Sequence, residues 1–395
     1  MAAPYQVNSA VAQRQLLRRF WRDARRFWTE RWAGIAWSLS IFLVLLVLAQ
    51  LLVQYLLNIW TRNFFDAIAL RDAPALWTQA QAFIVLASLS TILAASSVWG
   101  RMTAQRKWRE AVTRLVIEHW LAKDRFRQLN YLASGCDNPE FRISEDLRVA
   151  TDSPVDLVLA FLSSVLTAIT FFSILWEVGG TLTLAAFGRT WSIPGYLVVA
   201  VTIYSSLFSA MMALIGHRLT AIIERKNQAE AEFRAAADLL HLDAAPEADG
   251  NSGGRRALWL AVHRVLRRWR DLCWQLVGTT VVSHANFLLA PVVAWLLCVP
   301  KYLAGTMSLG ELTQVAAAFV TVQSAFNWLV DNYGRLADWR SSVHRLARLL
   351  MAIDALDGAP ESAAFLPAAD RAGDDRTPAE AASGLRTRST GIAST

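Results

Sequence analysis

The chain predicts an all-α polytopic membrane protein, with six long transmembrane helices extending into the cytosol. Six apolar stretches run from Ile35 to Leu57, Ala80 to Gly100, Val155 to Trp176, Ile193 to Ile215, Leu276 to Cys298 and Glu311 to Val330. Each suffices to cross about 30 Å of hydrocarbon as a helix, the conformation that satisfies its own backbone hydrogen bonds. Lys and Arg gather in alternate connections, as in chains threaded repeatedly through a bilayer. Several apolar stretches also run without a break into charged, helix-patterned sequence. The composition, 54% hydrophobic with 17 Trp and 18 Phe among 395 residues, argues against an ordinary soluble domain.

The first span follows Arg14, Arg18, Arg19, Arg22, Arg25, Arg26 and Arg31, whereas the connection from Trp60 to Gln79 carries only Arg62 and Arg71. The next connection, Arg101 to Pro154, is basic again, and Glu177 to Ser192 offers only Arg189. Between the fourth and fifth spans lie Arg218, Arg225, Lys226, Arg234, Arg255, Arg256, Arg264, Arg267, Arg268 and Arg270, against Lys301 alone in the last turn. This bias places both termini on the cytoplasmic side of the membrane. It also assigns the net charge of +7 to the membrane rather than to nucleic acid.

Residues 1–34 read as a basic amphipathic cytoplasmic segment. From Arg14 to Trp32, arginines alternate with Phe20, Trp21, Phe27, Trp28 and Trp32, a pattern suited to a helix at the inner headgroup layer or to simple stop-transfer charge. The apolar run that follows is too long for a signal-peptide core, so it reads as a retained first span. Residues 35–352 form the six-helix domain, and residues 353–395, rich in Ala, Ser, Gly, Asp and Arg, read as a disordered tail. Cys136, Cys273 and Cys298 are not placed for a structural bridge, and the six histidines show no metal-ligand spacing.

The last span opens at Ser308 with Glu311 three residues on, a capping box, and continues without proline to about Ala352. Such a helix reaches roughly 65 Å, about twice the hydrocarbon thickness. Its distal half places Leu336, Trp339, Val343, Leu346 and Leu350 at spacings of three and four, an apolar stripe for packing on neighbours. The fourth span, with Pro194 in its first turn, runs past Gly216 into Glu224 to Arg234, and the fifth runs from near Arg255 to Pro300 with Pro291 inside it. Between them, Glu247 to Gly254 read as a flexible loop.

Local sequence then becomes recognisable. Asp137-Asn138-Pro139-Glu140-Phe141-Arg142-Ile143-Ser144-Glu145-Asp146 resembles the DNPDQRIxxD segment between the second and third spans of bacterial YddA-like half-transporters and their peroxisomal fatty-acyl relatives, with Phe141 in place of Gln. Ile174-Leu175-Trp176 with Gly179-Gly180, Ile193-Pro194-Gly195-Tyr196 and Glu230-Ala231-Glu232-Phe233-Arg234 follow in the family's order. The chain thus resembles an ABC exporter-type transmembrane domain, related to the ATPase-free SbmA/BacA-like peptide transporters. That resemblance implies a homodimer with swapped helices, a small-molecule or peptide substrate, and a contact between the first cytosolic connection and an ATPase.

Three sets of residues are candidates for function. Asn138, Pro139, Arg142, Glu145 and Asp146 combine a turn with a short charged helix, able to pair across a subunit contact or simply to cap a solvated helix. Glu224, Glu230, Glu232 and Arg234 lie below the inner surface, where Glu230 and Arg234 form an i,i+4 pair. The ATPase-free relatives imply proton coupling for glutamates here, a role that needs a raised carboxylate pKa. His284, Asn286, Gln314, Gln323 and Asn327 are too costly to face lipid, so they should face a cavity or another helix.

No G-x-x-x-x-G-K-[ST] loop occurs in the chain, so its glycines and lysines offer no Walker-type phosphate cradle. The chain carries no cofactor of its own on this reading and reads as a permease rather than an enzyme. Its power would come from ATP on a separate or lost ATPase domain, or from a proton gradient.

Overall fold

The computed structural model describes residues 18–127, 139–186, 189–242 and 252–358. A helical turn over residues 18–24 and a short helix, Arg26–Thr29, precede six long helices. These are α1 (Ala33–Ala69), α2 (Ala73–Leu121), α3 (Leu147–Gly179), α4 (Tyr196–Leu242), α5 (Ser252–Leu303) and α6 (Leu309–Gly358). A helical turn at Pro139–Phe141 and a π-helical turn at Arg142–Asp146 lead into α3.

Between α3 and α4 stands an element the sequence reading lacked, an antiparallel hairpin of β1 (Thr181–Ala186) and β2 (Arg189–Pro194), paired from Thr181 opposite Pro194 to Ala186 opposite Arg189. This two-stranded hairpin is a small addition to an otherwise all-α fold. Ile193 and Pro194 end a strand, and the fourth helix starts only at Tyr196. Gly195 turns the chain at φ +59°, and its N–H donates to the Gly180 carbonyl at 3.0 Å, while Gly180 itself, at φ +56°, caps α3.

Among the described residues, five helices are long and apolar enough to cross a membrane, namely all the long helices but α6. The sixth expected span is thus a long helix of different character. Val315, Ala316, Ala318, Phe319 and Val322 of α6 are buried against Phe171, Leu175, Leu197, Val201, Ala294 and Cys298. A helix enclosed by other helices does not need a uniformly apolar surface, and so Gln314, Gln323 and Asn327 fit within it. Ser308 and Glu311 form the expected capping box. The Glu311 N–H donates to Ser308 Oγ at 3.0 Å, and the Ser308 N–H donates to Glu311 Oε2 at 3.0 Å.

The chain falls into two compact units. One comprises residues 1–41, 101–156 and 335–395, the other residues 42–100 and 157–334. Helices α1, α2, α3 and α6 each contribute to both units, whereas α4 and α5 lie wholly in the second. In the first unit, Phe20, Ala24 and Phe27 are buried with Trp108, Val112, Val116, Leu147, Val343, Leu346, Leu350 and Ile353. Phe20 and Phe27 are therefore core, Trp28 and Trp32 pack partly against it, and Trp21 is exposed. The distal stripe of α6 supplies an apolar surface in the same cluster, and burying Phe20 and Phe27 there removes more area from water than lying at an interface would. The same helix continues through residues 353–358, which the sequence reading gave to the tail. Ser252, Gly253 and Gly254 likewise belong to α5 rather than to a loop. The rest of the expected loop and tail lies outside the described residues.

Arg19 ties this unit together. Its Nε donates to Asp354 Oδ2 at 2.7 Å, and His119 Nε2 lies 2.9 Å from Asp354 Oδ1. Burial pushes the Asp354 carboxyl up, but the hydrogen bonds from Arg19 and His119 outweigh it and hold the pKa below the ordinary value of 3.8. A carboxylate depressed in the folded state contributes stability that is fully present above its unfolded pKa and lost as pH falls through its folded one. Asp354→Asn should therefore lower the melting temperature at neutral pH, and its difference from wild type should vanish on acidification below 3.8, as followed by thermal unfolding in detergent.

In the second unit, α1 and α6 approach closely at Gly310, whose N–H donates to Asp66 Oδ1 at 2.8 Å. A Cβ there would collide with the Arg62 carbonyl oxygen and the Asp66 carboxylate. Gly310→Val should cost about 1–3 kcal/mol by overpacking, visible as a lower melting temperature. Gly334→Ala, with open space around the new methyl, should not lower it.

Candidate functional site

The polar residues expected within the spans separate by environment. Asn286, Gln314 and Gln323 are buried, at 7%, 4% and 4% exposure. Asn58 Nδ2 donates to the Gln314 carbonyl at 3.1 Å, the Tyr204 hydroxyl donates to the Asn286 carbonyl at 3.4 Å, and Ser209 Oγ donates to Asn327 Oδ1 at 3.5 Å. The amide oxygens of Asn58, Asn286 and Gln314, the Gln323 amide nitrogen and the Ser205 hydroxyl are buried with no hydrogen-bond partner among the described residues. Leaving such groups unsatisfied costs about 1–3 kcal/mol each, which marks them as positions where water or a polar ligand would be held. His284, by contrast, is exposed on α5, next to Phe287 with ring centroids 6.1 Å apart. The sequence reading sought a cavity or a second helix for it, and among the described residues it is exposed instead.

Sequence reasoning missed Asn58, Tyr204 and Ser205. Their signal was a lone polar side chain inside an apolar run, weak by itself because Ser and Tyr are common in membrane helices.

The segment before α3 is built around one buried carboxylate. Asp146, 1% exposed, ends the π-helical turn. Arg345 of α6 grips it, with Nε 3.0 and 2.9 Å from the two carboxylate oxygens and Nη2 2.6 Å from Oδ1. This doubly bonded fork is the strong form of an ion pair. Glu145 pairs instead with Arg148 on its own helix, Nη2 to Oε1 at 2.6 Å, and that hydrogen bond holds its carboxyl below the usual range. Both side chains are solvent-exposed, so the pair contributes little to stability. Pro139 is buried, Arg142 opens the π turn, and Asn138 lies outside the described residues.

A second carboxylate that the sequence did not flag, Asp156, gathers three partners. Arg101 Nε lies 3.3 Å from Oδ1, Gln105 Nε2 donates to Oδ1 at 2.8 Å, and Arg335 Nη2 lies 2.7 Å from Oδ2. Charges on α2, α3 and α6 therefore converge at the lower end of the third apolar run. Arg101 and Gln105 lie one turn apart on α2, but Asp156 and Arg335 are far from them and from each other in sequence, and no local pattern brings the three elements together.

On α4 the expected pair between Glu230 and Arg234 is replaced by Lys226 and Glu230, Nζ to Oε1 at 2.9 Å. Both spacings are four residues, and Lys226 is preferred because it also stacks over the Trp269 ring of α5, 4.8 Å from the centroid. The hydrogen bond from Lys226 lowers the Glu230 pKa. A proton-coupling carboxylate needs the opposite shift. Glu232 meets Arg264 of α5 at 2.9 Å, while Glu224 is exposed.

Residues 27–244 match the ABC transporter transmembrane region 2 family. The chain belongs to this family. It is similar to the inner membrane ABC transporter ATP-binding protein YddA of Escherichia coli (strain K12), at 27% identity over 86% of the chain and 61% of that protein. It is also similar to an ABC transporter ATP-binding protein of Haemophilus influenzae, at 23% identity over 81% of the chain and 55% of the relative. A third relative is ABC transporter D family member 2, chloroplastic, of Arabidopsis thaliana, at 20% identity over 86% of the chain and 46% of that protein. The chain thus spans about half to three-fifths of the length of these relatives. As a member of the ABC transporter transmembrane region 2 family with several apolar membrane-spanning helices, it is a multi-pass membrane protein and a transporter component.

The grip of Arg345 on Asp146 makes an asymmetric forecast. Arg345→Met strands a buried carboxylate and should cost about 3–5 kcal/mol, whereas Asp146→Asn, which keeps an amide oxygen for the guanidinium, should cost less. Chemical denaturation of the two variants in detergent measures the difference.

Proposed function

We propose that this chain is the permease component of an ABC-type transporter of the bacterial inner membrane, moving a small-molecule or peptide solute while a nucleotide-binding domain outside these 395 residues hydrolyses ATP. The observation that carries the reading is the set of buried polar atoms on Asn58, Ser205, Asn286, Gln314 and Gln323, held within helices that are otherwise apolar. A purely structural bundle has no use for five such groups, whereas a route for a polar solute does. The alternation of Lys and Arg supports cytoplasmic termini. The ion pairs of Glu230 with Lys226 and of Glu232 with Arg264 hold two of the three candidate glutamates in structural contacts, which favours the ATP-driven reading.

We further read the working form as a homodimer. His284 sits in the fifth apolar run and is exposed in the single chain. An imidazole is too costly there to face lipid, so a second copy or a water-filled cavity shared with it covers this face.

Three measurements test this reading. Affinity purification of the tagged chain from its native membrane should bring down a polypeptide with a nucleotide-binding domain, and uptake into vesicles should stop when ATP is depleted. Uptake that persists on a proton gradient without ATP would overturn the ATP-driven reading. With Cys136, Cys273 and Cys298 replaced, His284→Cys should cross-link two copies, and labelling by lipid-soluble maleimide alone would overturn the dimer.

A further inference from the structure

The α4–α5 hairpin carries a pocket of about 490 Å³ that the transport reading leaves unused. Its walls include Arg225 and Glu232 of α4 and Arg264, Arg267, Arg268, Arg270 and Asp271 of α5, so five guanidiniums face two carboxylates, an excess of three positive charges. Ala229, also in the lining, is buried, so a small residue brings the two helices close beneath the charged side chains.

The guanidiniums are unevenly committed. Arg264 meets Glu232 at 2.9 Å and Arg268 meets Asp271 at 3.4 Å. Arg267 Nε reaches only the His263 carbonyl, at 3.4 Å. Arg225 and Arg270 have no hydrogen bond or ion pair among the described residues. Arg264, Arg267, Arg268 and Asp271 follow one another at helical spacings of three, one and three, which keeps them on the face turned toward α4. Like charges crowded this way repel one another unless an anion lies between them. Arginine forks also match the oxygens of phosphate two at a time.

We propose that this pocket binds a phosphate-bearing polyanion. Its volume lies within the range of sites for small organic ligands, about 300–1,000 Å³, large enough for a diphosphate with an attached group. Arg270 lies six residues before Leu276, where the fifth apolar run begins, and Arg264 twelve. At 1.5 Å per residue these are about 9 and 18 Å from the hydrocarbon edge, from the headgroup layer into water. The pocket is therefore within reach of a lipid phosphate from above and a soluble one from below. Its position on the cytosolic side rests on the topology proposed above.

The test uses the full chain in phosphatidylcholine nanodiscs, titrated with inorganic pyrophosphate, beside a second preparation in which part of the lipid is phosphatidylglycerol. Pyrophosphate binding that weakens with salt identifies a soluble ligand, and a melting temperature raised only by phosphatidylglycerol identifies a lipid headgroup. Either supports the site. Arg225→Gln and Arg270→Gln, both at exposed positions without partners among the described residues, should each reduce the affinity or the lipid effect about tenfold or more, with helical circular dichroism unchanged. Arg256→Gln, exposed on α5 outside the pocket, should change neither. No response to either anion, a full response in both pocket variants, or an equal loss in Arg256→Gln would overturn the proposal.

Discussion

Hydrocarbon offers no hydrogen-bond partner to a peptide group, and that constraint orders everything else in this protein. It makes every crossing segment helical. Because α2, α4, α5 and α6 are 49, 47, 52 and 50 residues long, each continues well past the roughly 20 residues a bilayer requires. The surplus turns carry charge and pack by a different rule. Apolar contact alone suffices where lipid is the surrounding medium, whereas outside it ion pairs and amphipathic stripes decide which faces meet.

The constraint also gives weight to its exceptions. Asn58, Ser205, Asn286, Gln314 and Gln323 are polar groups in the costliest surroundings the chain has, and part of their hydrogen-bonding capacity has no partner among the described residues. The two charged centres obey the opposite logic. Asp146 is fully committed to Arg345, and Asp156 is shared among Arg101, Gln105 and Arg335. The buried Asp146 carboxylate ties the segment before α3 to α6, since losing its donor would leave a charge stranded in low dielectric, and the partly exposed Asp156 adds a weaker tie among α2, α3 and α6. Ionic centres and an underused polar interior are compatible in one transporter component because they occupy different stretches, the first on α2, α3 and the distal part of α6, the second on α1, α4, α5 and the proximal part of α6.

The six long helices were legible in the sequence because apolar length and 3.6-residue periodicity are local properties. So was the Ser308–Glu311 capping box, whose partners are three residues apart. The errors arose where local patterns admitted two answers. Glu230 had a basic residue four positions away on either side, and only Trp269 on another helix selected Lys226. Phe20 and Phe27 suited a membrane surface as well as a protein core, and the stripe of α6 provided the core for these two. Pro194 suits the end of a strand as well as the first turn of a helix, and pairing with β1 decided for the strand.

By itself, then, the sequence determined the membrane-spanning helical class, the long charged helix extensions and the family, because each is written in residues that are near one another along the chain. The tertiary structure alone decided that Asp146 belongs to Arg345, that Asp156 collects three partners, that α6 is shielded by other helices, and that arginines of α4 and α5 line one pocket. Each of those depends on which helix faces cross, and helix packing brings together residues whose separation in sequence carries no signal of their contact.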